Sequence, residues 1–532
     1  MQGAKVYRPF YFAVVEIILR GILNMRAERR REIERQMMEE KQRTRAARKG
    51  NGFSIFLALL YLLTGGAFIY FLLKLNLLPA GYLYPGLAIL AVVTLFNLPS
   101  MISRRGKKGR RVFASIISVL LIAGFSLGTY YLASTGGFFD AITERTVPTE
   151  DFLVQVRTED MPDSAEWEAM SEDAKREYVQ DRLDGEYVYT FNSTDSVYAS
   201  AKALLQHEMN VEYEFTDSSE ECLTDLLEGY CDYVFISAAE YTALTGDAYY
   251  SERDSMATLY TVKVPRETVD RTKSVKVTKE PFNILISGTD TDGYRSDVNM
   301  IATVNPVTHV VLLTSLPRDL YVELPSKGEY DKLTHSRIFG LEETQAAIEK
   351  TLGIDINYYV SVNFYALENI VDAIGGIDVE SPCDFQTIGR DGYDIYYTEG
   401  INHLDGREAL AFVRERDSFE SGDMQRNENQ QAVMKAILEK GMSSSTILSS
   451  YTDLLAAAKG SMFTTMSQDE MSDLIKMQLK GMPSWEIRRH AVKGEPDFDY
   501  CYSLGDYASV VYPIQDEITK AVDEIASAKL MG

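Results

Sequence analysis

Charged side chains stand at the ends of three apolar segments in the middle of this chain. The segments Asn283–Ser287, Met300–Val304 and Val310–Leu316 are rich in β-branched residues, which predicts buried strands. The charged residues between and after them are Asp290, Arg295, Asp297, Arg318 and Asp319. Because residues two apart in an extended segment point to the same side, Arg295 and Asp297 can face one cavity.

These residue types favour a site for a divalent cation and a phosphate. Carboxylate oxygens are the hard ligands that Mg²⁺ prefers, and guanidinium groups clamp phosphoryl oxygens. The alternative is a structural network of ion pairs that closes off the strand ends, because such networks also place opposite charges together. The residues alone leave both interpretations open.

A polar stripe further along the chain adds to this group. Asp423, Arg426 and Gln430 recur at helical spacing and are continued by the apolar Val433 and Ile437, which predicts a helix with a buried far half. The positive end of this helix would then face a cavity shared with Arg426 and Gln430, and it would favour an anion there. The alternative makes Asp423 an N-cap and Arg426 a solvated first-turn residue.

Five arginines of this region stand beside apolar segments rather than in polar loops. They are Arg295, Arg318, Arg414, Arg416 and Arg426. Arg414 and Arg416 flank Glu415 and point the same way if that segment is extended, although an isolated pair of this kind is usually surface charge. Convergence of the five would suit a pyrophosphate, whose oxygens guanidinium pairs bind bidentately.

Six motifs resemble, in order and spacing, those of the LytR-CpsA-Psr family. They are GTDTDGYRSD, SLPRD, DKLTHS, VDAIGGIDV, LDGREALAFVRERD and GDMQRNENQ. The resemblance covers about Pro281 to Gly441 strongly and the rest of the chain more weakly, and it leaves the first 280 residues uncovered. It implies a membrane-anchored phosphotransferase outside the cell membrane that moves a glycopolymer, such as teichoic acid or capsule, from polyprenyl pyrophosphate to a peptidoglycan sugar hydroxyl.

The resemblance also implies a role for each site residue. Asp290 and Asp297 would hold Mg²⁺ or Mn²⁺, and either one could accept the hydroxyl proton. The pyrophosphate would lie on Arg295, Arg318, Arg414, Arg416, Arg426 and Gln430. The catalytic set would be Asp297, Asp290, Arg318 and Arg414, supported by Asp319, Lys332 and Asp423.

Two positions depart from the family's usual pattern. Asn429 stands where the family usually has an arginine, which removes one positive charge from the rim of the predicted pocket. Asp292 stands where an arginine is often found. We expect these changes to alter affinity or substrate choice rather than activity.

Two other functions remain open from the sequence. With water as the acceptor, the same residues would make a polyprenyl-diphosphate hydrolase. Without turnover, the chain would be a membrane-anchored binding or sensor protein.

The charge distribution separates the chain into two parts. The first 139 residues hold 20 Lys and Arg against 6 Asp and Glu, yet the whole chain has a net charge of −24. The acidic remainder argues against a nucleic-acid partner, because phosphate backbones are bound by basic surfaces. Any anionic ligand must therefore be held by a local arginine cluster.

Three uncharged segments predict membrane spans. Phe53–Leu73, Tyr82–Ile102 and Val112–Leu132 each reach the roughly 20 residues that a spanning helix needs. The basic N-terminal segment and the basic loop Arg104–Arg111 should lie in the cytoplasm, so the chain after about Gly136 should be outside. Membrane lipid is therefore a predicted partner.

The remaining pattern predicts the domain organisation. A chain of 532 residues is too long for one hydrophobic core. We expect a basic cytoplasmic segment (1–52), three spans (53–139), an acidic stalk (140–185), a small α/β accessory domain (186–270) and a catalytic domain (275–532). The catalytic domain should be α/β, with a mixed central sheet and helices on both faces.

Overall fold

The computed structural model of the protein describes residues 21, 24–42, 52–102, 108–143, 149–193, 196–247, 252–265, 269–289, 295–387, 394–419, 421–442 and 451–530. The chain divides into two compact units, residues 1–133 and 134–532. We describe each unit by itself.

The first unit is built around long apolar helices, as the sequence predicts. They are α1 (Gly52–Leu75), α2 (Ala80–Ile102) and α3 (Lys108–Thr143), the last of which continues into the second unit. All three are long and apolar enough to cross a membrane, judged by length and composition. The buried Asn97 donates from Nδ2 to Ser118 Oγ at 2.6 Å, and this hydrogen bond joins α2 to α3.

The second unit begins with an α/β domain. Its elements are β1 (Thr149–Arg157), α4 (Ser164–Ala169), α5 (Glu172–Leu183), β2 (Tyr187–Phe191), α6 (Ser196–Met209), β3 (Glu212–Thr216), α7 (Ser219–Glu228), β4 (Val234–Ser237), α8 (Ala238–Asp247) and β5 (Met256–Pro265). The strands form one sheet in the order β3-β2-β4-β1-β5. Strand β2 is parallel to β3 and β4, whereas β1 is antiparallel to β4 and β5.

The predicted acidic stalk over residues 140–185 is wrong. Strand β1 lies inside the sheet between β4 and β5, and its Phe152, Val154 and Val156 are fully buried. Val179 and Leu183 of α5 pack on the same core. Two acidic residues at the start of β1 obscured this alternation of apolar residues, and the accessory domain therefore begins at β1.

The catalytic domain is organised around a six-stranded mixed sheet, which confirms the predicted fold class. The strands are β6 (Phe282–Thr289), β7 (Ser296–Asn305), β8 (Val310–Leu316), β11 (Tyr358–Asn363), β16 (Met462–Thr464) and β17 (Glu486–Ala491), in the order β16-β11-β6-β7-β8-β17. Strands β6, β7 and β8 form an antiparallel meander. Strand β11 runs parallel to β6, and β17 runs parallel to β8.

Helices cover both faces of this sheet. Among the described residues of the domain, the helices are α9 (Leu333–Ser336), α10 (Leu341–Leu352), α11 (Phe364–Ala373), α12 (Gly406–Arg414), α13 (Asp423–Gly441), α14 (Tyr451–Ala458), α15 (Gln468–Gly481) and α16 (Gln515–Lys529). Ile301 packs with Ile348 of α10 and Ile518 of α16 on one face. Leu313 packs with Met434 of α13 on the other face.

Helix α12 packs closely against α11. It begins at a capping box in which Asp405 and Glu408 satisfy each other's backbone N–H groups. A Cβ on Gly406 would lie only 2.2 Å from the carbonyl oxygen of Glu368 in α11. The close approach of these helices therefore requires glycine at this position.

Four short strand pairs of the described residues complete the domain, and one of them contacts the accessory domain. They are β9 (Tyr321–Leu324) with β10 (Glu329–Lys332), β12 (Ile377–Ser381) with β15 (Gly400–Leu404), β13 (Phe385–Gln386) with β14 (Tyr396–Tyr397), and β18 (Gly494–Cys501) with β19 (Asp506–Pro513). Ala239 and Ala243 of α8 share an apolar cluster with Cys501, Ala508 and Val510 of the β18–β19 hairpin. The accessory domain thus docks on the catalytic domain through α8.

Candidate functional site

The strand meander brings Arg318 to Asp297. Strand β7 begins beside the end of β8, because Asn299 pairs with Leu316 in the antiparallel register. Arg318 follows β8 and donates from Nη1 to Asp297 Oδ1 at 3.1 Å. The sequence pattern predicted that both residues stand at strand ends, and the register explains why they meet.

Three carboxylates surround the Arg318 guanidinium. Besides its contact with Asp297, its Nε lies 3.4 Å from Asp319 Oδ2 and 4.0 Å from Asp423 Oδ2. Burial lowers the pKa of Arg318, but Asp319, Asp297 and Asp423 raise it by more, so the pKa lies above its ordinary value. Arg318 is therefore a fixed positive charge.

Helix α13 adds a second buried guanidinium. Arg426 is only 6% exposed, and its Nη1 lies 3.1 Å from Asp423 Oδ1, one turn earlier on the helix. Burial and the neighbouring Arg318 lower the pKa of Arg426. Among the residues that the structure describes, its Nε and Nη2 have no hydrogen-bond partner.

Unpaired N–H groups beside a like charge are unfavourable in a protein interior. A buried donor without a partner costs about 1 to 3 kcal/mol, and more when it is charged. A bound anion would supply acceptors and reduce the repulsion between Arg426 and Arg318. Since Arg426 is buried, the interpretation of it as a solvated first-turn residue is wrong.

Asp423 contacts both guanidinium groups, and Arg416 also affects its pKa. Burial raises the pKa of Asp423, but Arg426, Arg318 and Arg416 lower it by more, so it lies below its usual value. Arg416 itself pairs with Asp417, with 3.1 Å between Nε and Oδ1. Four predicted residues beside Arg426 therefore form one electrostatic group: Arg318, Asp297, Asp319 and Asp423.

Other predicted residues occupy different positions. Arg414 is the last residue of α12 and its side chain is exposed, so the segment that it forms with Arg416 is helical at Arg414 rather than extended. Arg295 donates from Nη2 to the carbonyl oxygen of Thr242 in α8, which makes it a contact between the two domains. Asp290 and Asp292 lie outside the described residues.

The polar residues later in α13 are buried. Gln430 is 7% exposed, and Asn429 is 2% exposed and donates to the carbonyl oxygen of Phe412 in α12 at 3.4 Å. Asn429 therefore lies in the helix interface, and its predicted position at a pocket rim is wrong. Gln431, which the sequence did not single out, donates to the carbonyl oxygens of Leu313 and His490.

A buried Asp331–His335 pair supports the region around Lys332. Asp331 Oδ1 lies 2.7 Å from His335 Nδ1, and Oδ2 accepts a hydrogen bond from the backbone N–H of Ser503 at 2.7 Å. Burial raises the pKa of Asp331, but His335 and Ser503 lower it by more, leaving it below the usual value. Lys332 itself is buried at the end of β10. The sequence analysis did not predict this pair, and the four-residue spacing of Asp331 and His335 is the sequence feature that could have indicated it.

Asp297 is the one predicted metal ligand among the described residues, and its carboxylate pairs with Arg318. Among the described residues, no three His, Cys, Asp or Glu side chains are grouped so that they could hold a metal ion by themselves. Mg²⁺ is often bound by one or two carboxylates together with substrate phosphates and water. A single aspartate beside an anion site is therefore compatible with Mg²⁺.

Comparison with known proteins relates this arrangement to one family. The LytR_cpsA_psr family model matches residues 248–524. A relative from Bacillus mycoides (strain KBAB4), named polyisoprenyl-teichoic acid–peptidoglycan teichoic acid transferase TagU, is 40% identical over 209 residues, which are 38% of this chain and 67% of the relative. A relative of the same name from Enterococcus faecalis is 40% identical over 218 residues, or 39% of this chain and 70% of the relative.

Solved structures match over a larger share of both chains, at lower sequence identity. The crystal structure of B. subtilis TagU is 30% identical, with 47% of this chain and 98% of that chain covered at a TM-score of 0.36. A structure described as TagT bound to LI-WTA is 26% identical, with coverages of 49% and 95% and a TM-score of 0.38.

Proposed function

Because this chain belongs to the LytR-CpsA-Psr family, we propose that it is a membrane-anchored phosphotransferase that moves a glycopolymer from polyprenyl pyrophosphate to a peptidoglycan sugar hydroxyl. The observation that carries this proposal is the buried Arg426 guanidinium beside Arg318. Its two nitrogens Nε and Nη2 have no hydrogen-bond partner among the described residues. A pyrophosphate would supply the missing acceptors. The names of the curated relatives support teichoic acid as one candidate polymer.

The two buried arginines would bind and orient the pyrophosphate. Arg426 presents Nε and Nη2 as a fork, which suits two oxygens of one phosphoryl group. Arg318 is held by its carboxylates and costs little reorganisation when the ligand arrives. Arg416 supports Asp423 from nearby, and the family resemblance adds Arg295 and Arg414 from the edges of the site.

The reaction would be a displacement at phosphorus. The acceptor hydroxyl oxygen forms a bond to the phosphorus that carries the glycopolymer, and the bond from this phosphorus to the bridging oxygen breaks. Polyprenyl phosphate leaves with the electron pair, and the arginines stabilise its new charge. Asp297 or Asp290 accepts the hydroxyl proton.

The family also implies Mg²⁺ or Mn²⁺ in this reaction. Asp297 would hold the ion together with Asp290, and the bound ion would neutralise phosphate charge during transfer. The three apolar helices suit a lipid-linked substrate, because they would keep the site beside the membrane that contains it. The basic N-terminal segment and loop favour an orientation with the catalytic domain outside.

The test is turnover by the full-length protein in detergent micelles. The reaction would contain a short polyprenyl-pyrophosphoryl saccharide, a peptidoglycan oligomer and Mg²⁺, with EDTA in a parallel reaction. We expect saccharide to appear on the oligomer, and we expect its formation to stop with EDTA and return with Mg²⁺. Release of polyprenyl phosphate without the oligomer would instead indicate a hydrolase, and tight donor binding without any product would indicate a sensor.

A further inference from the structure

The β18–β19 hairpin has two faces of opposite character. Its inner face is buried against the accessory domain, where Ala508 and Val510 pack near α8. Side chains alternate along each strand, so Tyr507 and Ser509, on either side of Ala508, face the other way. That outer face carries Phe498, Tyr500 and Tyr507, which are 64%, 42% and 58% exposed.

The three rings contact one another and form one surface. Phe498 and Tyr507 lie nearly parallel, at an interplanar angle of 17° and a centroid distance of 6.4 Å. Tyr500 is opposite Tyr507 in the strand register, and its ring meets that of Tyr507 at 74° and 5.9 Å. Grouped aromatic side chains on a solvent face indicate an interaction site, because scattered single residues would need no explanation. We call these three residues the aromatic face.

The charge of the hairpin and the polar groups of the aromatic face select the kind of ligand. The hairpin from Gly494 to Pro513 contains the carboxylates of Glu495, Asp497, Asp499 and Asp506 and no Lys or Arg. The register places these carboxylates on the inner side of the hairpin, because Asp499 is opposite Ala508 and Asp497 is opposite Val510. These charges repel a polyanionic donor polymer and an anionic lipid surface. On the aromatic face itself, the hydroxyl groups of Tyr500, Tyr507 and Ser509 can form hydrogen bonds with ligand hydroxyl groups, and the aromatic rings pack on apolar C–H surfaces. A neutral sugar chain presents both features.

The aromatic face also leads to the phosphate site. The backbone N–H of Val511 donates to the carbonyl oxygen of Asp319 at 2.8 Å, and the Asp319 carboxylate contacts Arg318. Val511, Ser509 and Tyr507 lie on the same side of β19. At about 3.4 Å per residue, Ser509 is about 7 Å and Tyr507 about 14 Å along the strand from Val511.

We propose that the aromatic face binds the acceptor glycan, a neutral sugar strand of the cell wall, and holds it so that one hydroxyl reaches the phosphate at Arg318 and Arg426. The proposal rests on the proposed transferase function for its role in catalysis. The binding of a sugar to the hairpin is independent of turnover. The two claims can therefore fail separately.

The test compares the full-length protein with a Phe498→Ser/Tyr507→Ser double variant. The probe is a soluble glycan oligomer released from peptidoglycan, and its binding is measured directly as well as through its KM in the transfer reaction. We expect at least a tenfold weaker oligomer affinity and a correspondingly higher KM, with donor affinity and kcat within twofold. A Phe498→Tyr/Tyr507→Phe variant keeps both rings and should retain affinity.

A matched control and a melting curve separate binding from folding. Tyr187→Ser removes an aromatic residue that is 55% exposed on β2 of the accessory domain, and it should leave oligomer affinity unchanged. Unchanged oligomer affinity in the double variant would overturn the proposal. So would an equal loss of donor affinity, a loss of binding to anionic vesicles instead of oligomer, or a change in oligomeric state.

The outcomes also distinguish the proposal from the function that it extends. Transfer that continues unaffected in the double variant would leave the transferase in place and remove the glycan site. If the oligomer binds in a ring-dependent way but the protein has no transfer activity, the glycan site would be supported and the transferase function would be contradicted.

Discussion

Replacing Arg318 with alanine should destabilise the catalytic domain as well as stop turnover. Asp297, Asp319 and Asp423 all face this guanidinium, and their side chains are only 18 to 30% exposed. Removing one partner of a fully buried ion pair costs about 3 to 5 kcal/mol. Because these carboxylates keep some contact with water, we expect a loss of about 2 to 3 kcal/mol in the free energy of unfolding at pH 7.5.

The loss should depend on pH with a defined sign. In the wild type the pKa of Asp423 is lowered, so its contribution to stability is present above the unfolded pKa of about 3.9 and is lost as pH falls through the folded pKa. Without Arg318, burial and repulsion from the neighbouring carboxylates should raise the pKa of Asp423 in the folded state. The deficit of the variant is therefore complete at pH 7.5 and shrinks toward pH 4, where protonation removes the repulsion.

Tryptophan fluorescence can report this domain alone. The chain has two tryptophans, and Trp485 packs beside the sheet of the catalytic domain whereas Trp167 belongs to the accessory domain. In a Trp167→Phe background, a loss of 2 to 3 kcal/mol should lower the melting temperature of Arg318→Ala by about 5 to 10 °C at pH 7.5. A second substitution, Asp297→Asn, should recover part of that loss.

The control is Arg488→Ala, which removes an exposed arginine that pairs with Glu486 at 2.8 Å. Exposed ion pairs contribute little, so this variant should melt like its parent. An Arg318→Ala variant with the same melting temperature as its parent at pH 7.5 would refute this prediction. It is equally refuted if the difference between them stays the same at pH 4, because the cause would then not be carboxylate repulsion.

Three further predictions follow from single side chains. Arg426→Lys should lower transfer at least tenfold with little change in melting temperature, because an ammonium cannot replace the fork, and wild-type donor affinity in this variant would contradict it. Gly406→Ala should lower the free energy of unfolding, measured by urea titration, by about 1 to 3 kcal/mol, because the new Cβ would collide with the Glu368 carbonyl. Unchanged stability would contradict this and mean that α11 and α12 can move apart. Iodoacetamide at pH 8 should label the exposed Cys383 and spare the buried Cys222, because burial raises the pKa of the Cys222 thiol to about 11. Rapid labelling of both cysteines in the native protein would contradict this prediction and show that the core of the accessory domain opens.

The elements that carry most of the site could be predicted because their apolar patterns are strong. The prediction placed strands at Asn283–Ser287 and Val310–Leu316 and a helix from Asp423 through Ile437. Strands β6 and β8 agree within one or two residues, and α13 contains the predicted helix. Dense runs of β-branched residues and a sustained helical period leave little ambiguity at this level. Residues attached to such elements, including Arg318 and Asp319, are then positioned by register.

The missed elements have weak or mixed patterns. Strand β17 carries Glu486, Arg488 and Arg489 at the edge of the sheet, where charged side chains interrupt any alternation. In the β18–β19 hairpin the usual alternation is reversed, because Phe498 and Tyr500 are exposed while Asp497 and Asp499 lie on the side of Val510 and Ala508. No local pattern could have revealed the contact of Arg295 with Thr242, because it joins two domains.

The burial of Arg426 was also beyond the reach of the sequence. The spacing of Asp423, Arg426 and Gln430 predicted a shared helix face, yet it did not decide whether that face points to water or to the protein. The answer depends on the packing of α13 between α12 and the sheet. Only the three-dimensional structure shows that Nε and Nη2 of Arg426 are enclosed.

The pairing of β8 with β17 affects how the catalytic domain is made. Strand β8 ends at Leu316 and β17 begins at Glu486, and Asn305 beside β8 donates to the carbonyl oxygen of Ala528, 223 residues away. At a translation rate of about 5 to 20 residues per second, the edge of β8 remains unpaired for roughly ten to thirty seconds before β17 is synthesised. During that interval the nascent chain exposes a long apolar strand, so we expect chaperones to bind it and proteases to remove chains that stall before α16.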